Sequence, residues 1–279
     1  MKMLKMYGMA LFAILMCVNL ASCGGGDDNE PSYNAGNSTN NGNSENNGEG
    51  TVAKTKKLVK MNDDASYSHT FSYDNEGKLS SIKYKEYDYE RVTIYTWDKN
   101  SIKYADEDSE GIYTLKNGLI TNLLEKRDGE DYKSWECSYN SSNQIVKIDK
   151  KYHDVNYSGE TYTTTFTWDG DKLIKFQEGE SISTYKYSGK TCKGWAPVTL
   201  GDRAWHYFEN NEIIYAHPEL IGFCGNQLPD EMERIEPDGT KTTVYYTYTF
   251  DKDGYVTERT QLEKWDNESS ISTFPYVWE

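Results

Sequence analysis

A short phrase recurs along the chain, in which aromatic residues alternate with Ser or Thr up to an Asp, and Gly and an apolar residue follow. Its copies are 71–79 (FSYDNEGKL), 95–98 (YTWD), 166–173 (FTWDGDKL) and 248–254 (YTFDKDG). The alternation suits a strand with one packed face and one wet face. Asp and Gly then turn the chain, so each copy predicts an antiparallel hairpin. In 162–168 the aromatic residues fall on even positions, which sets the register.

The spacing of these turns predicts the architecture. Turn residues follow one another at intervals of 19 to 29 residues, at Asp74, Asp98, Asn117, Asn140, Asp169 and Ser188. Each interval accommodates two strands and two turns, which extrapolates to about 14 to 17 strands, too many for an open twisted sheet. The predicted fold is therefore all-β, an antiparallel meander closing into a barrel or barrel-like sheet.

The phrase is missing from 194–236, which predicts one irregular insertion. A helix-compatible run extends from Asn210 to Ala216. Trp195, Trp205 and Tyr207 lie in this segment and are candidate ligand-binding residues, because exposed aromatic faces can stack on sugars or anchor a protein partner. The alternative is that these aromatic side chains fill and cap the barrel core.

The first residues have the order of a signal peptide. Lys2 and Lys5 precede an apolar stretch, 6–20, that is short for a transmembrane helix. The sequence Leu-Ala-Ser-Cys at 20–23 resembles the lipobox cut by lipoprotein signal peptidase. That resemblance implies removal of 1–22 and a lipid anchor on Cys23, which with two or more acyl chains binds a membrane stably. The alternative is an ordinary secretory cleavage that leaves Cys23 as a thiol.

Residues 23–50 are predicted to be a tether. They are rich in Asn, Gly, Ser and acidic residues and cannot bury enough apolar surface to fold. The acidic cluster at 27–30 resembles the export signal of Bacteroidetes-type surface lipoproteins, which implies the outer membrane with the protein facing outwards. A solvated linker explains the same residues. The folded domain is predicted to span 51–279.

Charge and cysteine content restrict the partners. The formal net charge of −15 disfavours nucleic acid and anionic lipid, so membrane contact is expected through the anchor only. Three cysteines remain in the predicted domain. Cys192, just before the insertion, and Cys224, within it, are a candidate disulfide that could close this region. The alternative is that both, with Cys137, are reduced thiols. The sequence contains no Cys-x-x-Cys pair, so no zinc site is predicted.

Motifs of catalysis are also missing from the sequence. There is no His-Glu-x-x-His arrangement, no Gly-x-Ser-x-Gly elbow and no phosphate-binding glycine loop. The segment 251–254 lacks the further acidic residues of a calcium loop and is predicted to be a turn. No catalytic residue, metal or cofactor is predicted, and an enzyme is disfavoured. A polysaccharide hydrolase would need a pair of carboxylates, and the sequence alone does not single out such a pair among 45.

Two segments strengthen a family resemblance. The hairpin phrase resembles tyrosine-aspartate repeat proteins. With His-Pro-Glu-Leu-Ile-Gly at 217–222 and Asn-Gln-Leu-Pro at 226–229, the chain resembles a family of Bacteroidetes-type lipoproteins of unknown function with a porin-like fold. The resemblance implies an antiparallel barrel and brings no activity, substrate or catalytic residue.

The barrel is predicted to be water-soluble. Residues 144–153 carry Lys147, Asp149 and Lys151 on one face and Lys150 on the other, and neither face suits hydrocarbon. The functional hypothesis is a non-catalytic, surface-exposed envelope lipoprotein that binds a glycan or a protein. The alternatives are an extracellular polysaccharide hydrolase and a purely structural envelope protein.

Overall fold

A computed structural model describes residues 55–62, 67–153, 160–194, 213–222, 226–266 and 268–279. Within these residues, sixteen antiparallel strands form one closed barrel. Each strand pairs with its neighbours in the chain, and β1 also pairs with β16, which closes the sheet. The predicted all-β antiparallel meander is confirmed, and sixteen strands fall within the predicted 14 to 17. Of the two predicted forms the structure shows the closed barrel, which leaves no unpaired edge strand.

The strands follow the predicted hairpins. Their bounds are β1 Leu58–Met61, β2 Tyr67–Tyr73, β3 Leu79–Glu86, β4 Tyr89–Asp98, β5 Ser101–Ala105, β6 Ser109–Lys116, β7 Leu119–Arg127, β8 Glu130–Tyr139, β9 Ile145–Tyr152, β10 Thr161–Asp169, β11 Lys172–Glu178, β12 Ser181–Lys186, β13 Glu231–Ile235, β14 Lys241–Phe250, β15 Val256–Trp265 and β16 Glu268–Trp278. One α-helix, α1 (Ile213–Ala216), and one 3-10 helix (Pro218–Ile221) lie between β12 and β13.

Strand β10 shows why the sequence phrase builds a barrel wall. Thr164 and Phe166 are buried inside, whereas Thr161, Thr163 and Thr165 are exposed outside. The predicted alternation is therefore confirmed. Just before the turn, the β10–β11 ladder shifts register, and corresponding shifts occur in the β2–β3, β6–β7, β8–β9 and β14–β15 hairpins. These bulges turn an apolar residue at the start of each following strand inwards: Leu79, Ile120, Ile145, Leu173 and Val256.

The bulge in β8–β9 changes the predicted faces of 144–153. Ile145, Ile148 and Lys150 are all buried, because the extra residue in the ladder shifts the alternation by one position. Lys147 and Asp149 lie outside, joined by an ion pair of 2.6 Å. A strict period of two could not reveal this mixture.

The barrel has two ends that differ in their connections. We call end A the end with the turns at Asp74, Asp98, Asn117, Asn140, Asp169 and Asp251, and end B the opposite one. The chain enters the barrel at end A, where the amide of Lys57 donates to Glu279 O at 2.6 Å and the Lys56 ammonium lies 2.7 Å from both Asp251 and Asp253. The insertion between β12 and β13 also lies at end A.

The turns at end A use side-chain oxygens as predicted. Asp74 Oδ1 accepts the amides of Glu76 and Lys78, both at 2.9 Å, and Gly77 adopts a φ of +88°. Asp251 Oδ1 accepts the amides of Asp253 and Tyr255 in the same way. The 251–254 segment is thus a turn.

The insertion is shorter than the predicted 194–236. Residues Glu231–Ile235 form β13, with Met232 and Arg234 inwards. A single apolar residue on the inner face gave too weak an alternation to indicate a strand. The predicted helix is present, and α1 ends at Ala216 as expected. Its Ile213 and Ile214 are buried in the same core cluster as the apolar strand residues.

Candidate binding site in the barrel interior

A ring of aromatic donors lines the inside of end A, and we call it the aromatic girdle. Every even-numbered strand except β6 carries an aromatic side chain at, or just after, its end A. The O–H or N–H of this side chain donates to a carbonyl near the start of the preceding odd-numbered strand, at 2.5 to 2.7 Å. The pairs are Tyr73 with Leu58, Trp97 with Leu79, Tyr139 with Ile120, Trp168 with Ile145, Tyr187 with Leu173, Tyr248 with Pro229 and Trp278 with Val256.

The girdle gives the repeated phrase a structural role. A buried Tyr or Trp needs a partner for its polar atom, and a carbonyl next to a bulge has a lone pair available. Burial raises the pKa of Tyr139 and Tyr248 above their ordinary range, so both hydroxyls remain donors. Among the described residues, the girdle is therefore a layer of aromatic rings whose polar atoms are paired with backbone carbonyls.

His217, from the most specific motif of the sequence, locks the insertion to this layer. Its Nε2 accepts the amide of Leu79 at 3.2 Å, and its Nδ1 lies 2.7 Å from Glu219 Oε1. The ring contacts Trp97 edge-to-face at 5.0 Å between centroids. These partners assign the proton of the neutral ring to Nδ1. His217 thus holds the insertion against β3.

The interior towards end B is charged. Glu125 on β7 is completely buried, and its carboxylate contacts three donor side chains. Lys133 Nζ lies 2.9 Å from its Oε2, Arg127 Nη2 lies 3.1 Å from its Oε1, and the Tyr104 hydroxyl donates to Oε2 at 3.1 Å. A buried carboxylate is stable only with such partners. Burial and the charge of Glu125 raise the pKa of Tyr104 well above its ordinary value, which keeps this donor protonated.

Gly111 makes this network geometrically feasible. It lies between Tyr104 on β5 and Glu125 on β7, and it is paired with both. The Tyr104 ring lies over Gly111, where a Cβ atom would overlap the ring carbons. A glycine in a strand interior often marks such a close approach. The Tyr104 hydroxyl can therefore cross β6 to reach Glu125.

A line of tyrosines follows Glu125 around the wall at end B, and we call it the tyrosine row. Tyr132, Tyr152 and Tyr162 meet edge-to-face with centroids 5.8 and 5.9 Å apart. The Arg127 guanidinium lies 3.6 Å from the Tyr132 centroid, and the Lys150 ammonium lies 5.3 Å from the Tyr152 centroid. The three rings are half-buried, and 41% of the Arg127 side chain is exposed. The row therefore combines aromatic faces with one cation that reaches solvent, Arg127, and one that is buried, Lys150.

The loops at end B carry the opposite charge. Asp106, Glu107 and Asp108 connect β5 to β6, and Asp128 precedes Glu130 at the β7–β8 turn. Most of these carboxylates are exposed. End B thus places an acidic rim around an interior with Arg and Lys, an arrangement that favours ligands with hydroxyl groups or basic side chains over polyanions.

Most of the predicted site residues lie outside the described residues: Cys23, Trp195, Trp205, Tyr207 and Cys224. The roles assigned to them, including the disulfide between Cys192 and Cys224, stay predictions. Cys192 is buried, and its amide donates to Asn226 O at 2.9 Å, so the two arms of the insertion meet at its base. Burial raises the pKa of Cys137 to about 12, which marks an unreactive thiol.

Two features are missing from the part of the chain that the structure describes. No group of three or more His, Cys, Asp or Glu there is arranged to hold a metal ion. No helix in those ranges is long and apolar enough to cross a membrane.

Comparison with known proteins identifies the fold. No protein-family model and no curated protein matches the chain. A porin-like protein from Bacteroides uniformis ATCC 8492 is similar in structure, with a TM-score of 0.63, 17% identity and coverage of 80% of this chain and 94% of that one. A porin-like protein from Bacteroides vulgatus ATCC 8482 has a TM-score of 0.51 and 13% identity, covering 79% and 98%.

At these identities the likeness shows the fold alone: the chain is similar to porin-like barrels. Membership of a lipoprotein family and of the tyrosine-aspartate repeat class stays a prediction.

Sequence reasoning missed both the charged network and the tyrosine row. Glu125 and Lys133 are typical surface residues by type, and only the register places them inside. One signal was available, since Tyr152 and Tyr162 each lie close to the end of a strand farthest from an Asp turn. An aromatic residue at that position lies too far from end A to join the girdle, which indicates a separate role at end B.

Proposed function

We propose that the protein is a non-catalytic, lipid-anchored envelope protein that binds a glycan through the tyrosine row at end B. The observation that carries the proposal is the row of three half-buried tyrosine rings in edge-to-face contact, with Arg127 over Tyr132 and Lys150 over Tyr152. Tyrosine faces pack against the apolar faces of sugar rings, and guanidinium and carboxylate groups bond to hydroxyls.

The position of end B supports this proposal. The chain enters the barrel at end A, through Lys56 and Lys57, next to the insertion that packs there. A tether that begins at a lipidated Cys23 would join the barrel at end A. End B is then the end farthest from the attachment point, which suits capture of an external ligand. The outward-facing ion pair of Lys147 and Asp149 favours water around the wall.

A glycan array tests the binding proposal. We expect the purified protein to bind neutral or mixed oligosaccharides, and Tyr152→Ala to weaken binding about tenfold or more, as loss of a central aromatic contact does. Tyr245→Ala, on the outer wall and 40% exposed, is the matched control and should bind like the wild type. An array without any bound glycan, or unchanged binding by Tyr152→Ala with an intact near-UV spectrum, would refute the proposal.

The same samples separate two alternatives. Trp195→Ala and Trp205→Ala test whether the insertion carries the binding instead, in which case they and not Tyr152→Ala reduce it. Chromatography of the bound glycan after incubation tests for hydrolysis, and shorter products would show an enzyme.

A second candidate ligand is a protein with a basic surface, which the acidic rim at end B favours. A pull-down under increasing salt distinguishes it. Association through the rim weakens steeply with ionic strength, whereas stacking on the tyrosine row does not.

The anchor is tested separately. We expect the wild-type protein to sediment with outer membranes and Cys23→Ala to be released into the soluble fraction, because the acyl chains supply the membrane affinity. A Cys23→Ala protein that still sediments with membranes would show that the lipid is not the anchor.

A further inference from the structure

The outer wall of the barrel has a recess that the proposed function does not use. It spans β4 to β7 and encloses about 410 Å³, within the range of roughly 300 to 1,000 Å³ that small-molecule sites occupy. All of its lining residues are described, and most of their side chains point outwards. The recess therefore opens on the outer wall, and Tyr104 and Gly111 of the buried network also line it.

The floor of the recess is apolar. Ile94, Ala105, Ile112 and Leu124 form it, one from each of four adjacent strands. Ile94 is 53% exposed, so the floor presents apolar surface to water. Covering these side chains would remove apolar surface from water, which favours binding of an apolar group.

A small residue at the centre creates the depth. Ala105 pairs with Ile94 on one side and with Glu110 on the other. Its methyl group fills little of the space between these longer side chains. The result is a cup rather than a flat sheet face, which separates this patch from singly exposed residues such as Ile271.

Two lysines and one glutamate lie on the border of the cup. Lys103 and Lys126 line it together with Glu110. The two ammonium groups reach carboxylates only at 3.9 Å, Lys103 to Asp98 and Lys126 to Asp131, so these pairs are loose and exposed. Such pairs contribute little and are easily exchanged for another anion.

We infer that the recess binds a small amphipathic carboxylate, an apolar chain or ring that covers the floor with an anionic group placed between Lys103 and Lys126. The apolar floor selects the body of the ligand and the excess of lysine selects the acid. The chemistry is that of a free fatty acid, and the site is independent of glycan binding at end B.

Dodecanoate below its micelle concentration and dodecanol below its solubility limit are suitable probes for isothermal titration of the purified protein. We expect dodecanoate to bind and Ala105→Phe to weaken it about tenfold or more, because the phenyl ring occupies the cup. Thr165→Phe is the matched control: it adds the same ring at an outward position of β10 and should leave binding unchanged.

The charge requirement needs a second pair of measurements. The double variant Lys103→Gln, Lys126→Gln should weaken dodecanoate about fivefold and leave dodecanol unchanged. Thermal unfolding of every variant verifies the fold, which outward substitutions should preserve.

Three outcomes would overturn the inference: wild-type protein that does not bind dodecanoate, an Ala105→Phe variant that binds it normally, or a lysine variant that binds both probes as the wild type does.

Discussion

The two ends of the barrel interior satisfy their buried polar groups in different ways. At end A each aromatic side chain of the girdle donates to a backbone carbonyl of the adjacent strand, as Trp97 does to Leu79 O at 2.7 Å. At end B side chains satisfy one another, as Glu125 does with Lys133 and Arg127. Backbone carbonyls recur in every hairpin, so the end A solution can be repeated around the barrel, whereas a charge network is a single local arrangement.

This difference separates scaffold from site. The repeated hydrogen bond helps to fix the register of every hairpin that contains it. Replacement of a girdle residue should therefore reduce stability. The charged end combines costly desolvation with side chains that reach solvent, such as Arg127. Binding and catalytic groups are often found where such local rules are broken.

Loss of the Glu125 carboxylate should have the largest effect on stability. Glu125→Ala removes the partner 2.9 Å from Lys133, whose side chain is 2% exposed, and we expect a loss of about 3 to 5 kcal/mol in the free energy of unfolding. Urea denaturation measures it. The exposed pair of Lys83 and Glu90 is the control, and Glu90→Ala should cost less than about 1 kcal/mol.

A double variant sharpens this result. Glu125→Leu with Lys133→Met removes both charges, and it should recover much of the loss because well-packed apolar residues can replace a buried ion pair. Equal destabilisation by the single and double variants would mean that the network at end B stabilises the fold through the packing of its side chains and not through their charges.

Gly222→Ala tests the insertion at end A with an intermediate effect. Gly222 adopts a φ of +68° after the 3-10 helix, and a Cβ atom there would overlap the carbonyl of Asn143. We expect a loss of about 1 to 3 kcal/mol from strain and displacement. Gly239→Ala, also at positive φ but with open space around it, separates the two causes by calorimetry. Similar losses in both would show that only the backbone angle matters.

Tyr139→Phe should have the smallest effect. It removes one girdle hydroxyl, which donates to Ile120 O at 2.5 Å, and keeps the ring, so we expect about 1 kcal/mol. Tyr245→Phe, exposed on the outer wall, should be nearly neutral in the same denaturation experiment. A neutral Tyr139→Phe would indicate that the girdle contributes through packing alone, and the contrast between the ends would disappear.

Several elements could be predicted from residues alone, for a local reason. Asp74 and Gly77 encode a turn within five residues, and the alternation in β10 encodes which face is buried. The bulges could not be predicted, since the extra residue in β9 is recognisable only against its partner strand. β13 was hidden because its inner face carries Met232 and Arg234, which are not both apolar.

The sequence by itself determined the repeated hairpins, the all-β class and a range of about 14 to 17 strands, because turn chemistry and period-two burial act between residues close in the chain. Only the tertiary structure decided that Glu125 meets Lys133 and Tyr104, that His217 locks the insertion onto β3, and that Ala105 forms a cup on the outer wall. These contacts join residues brought together by closure and register of the sheet, and the energy of a charge or a cavity depends on what surrounds it.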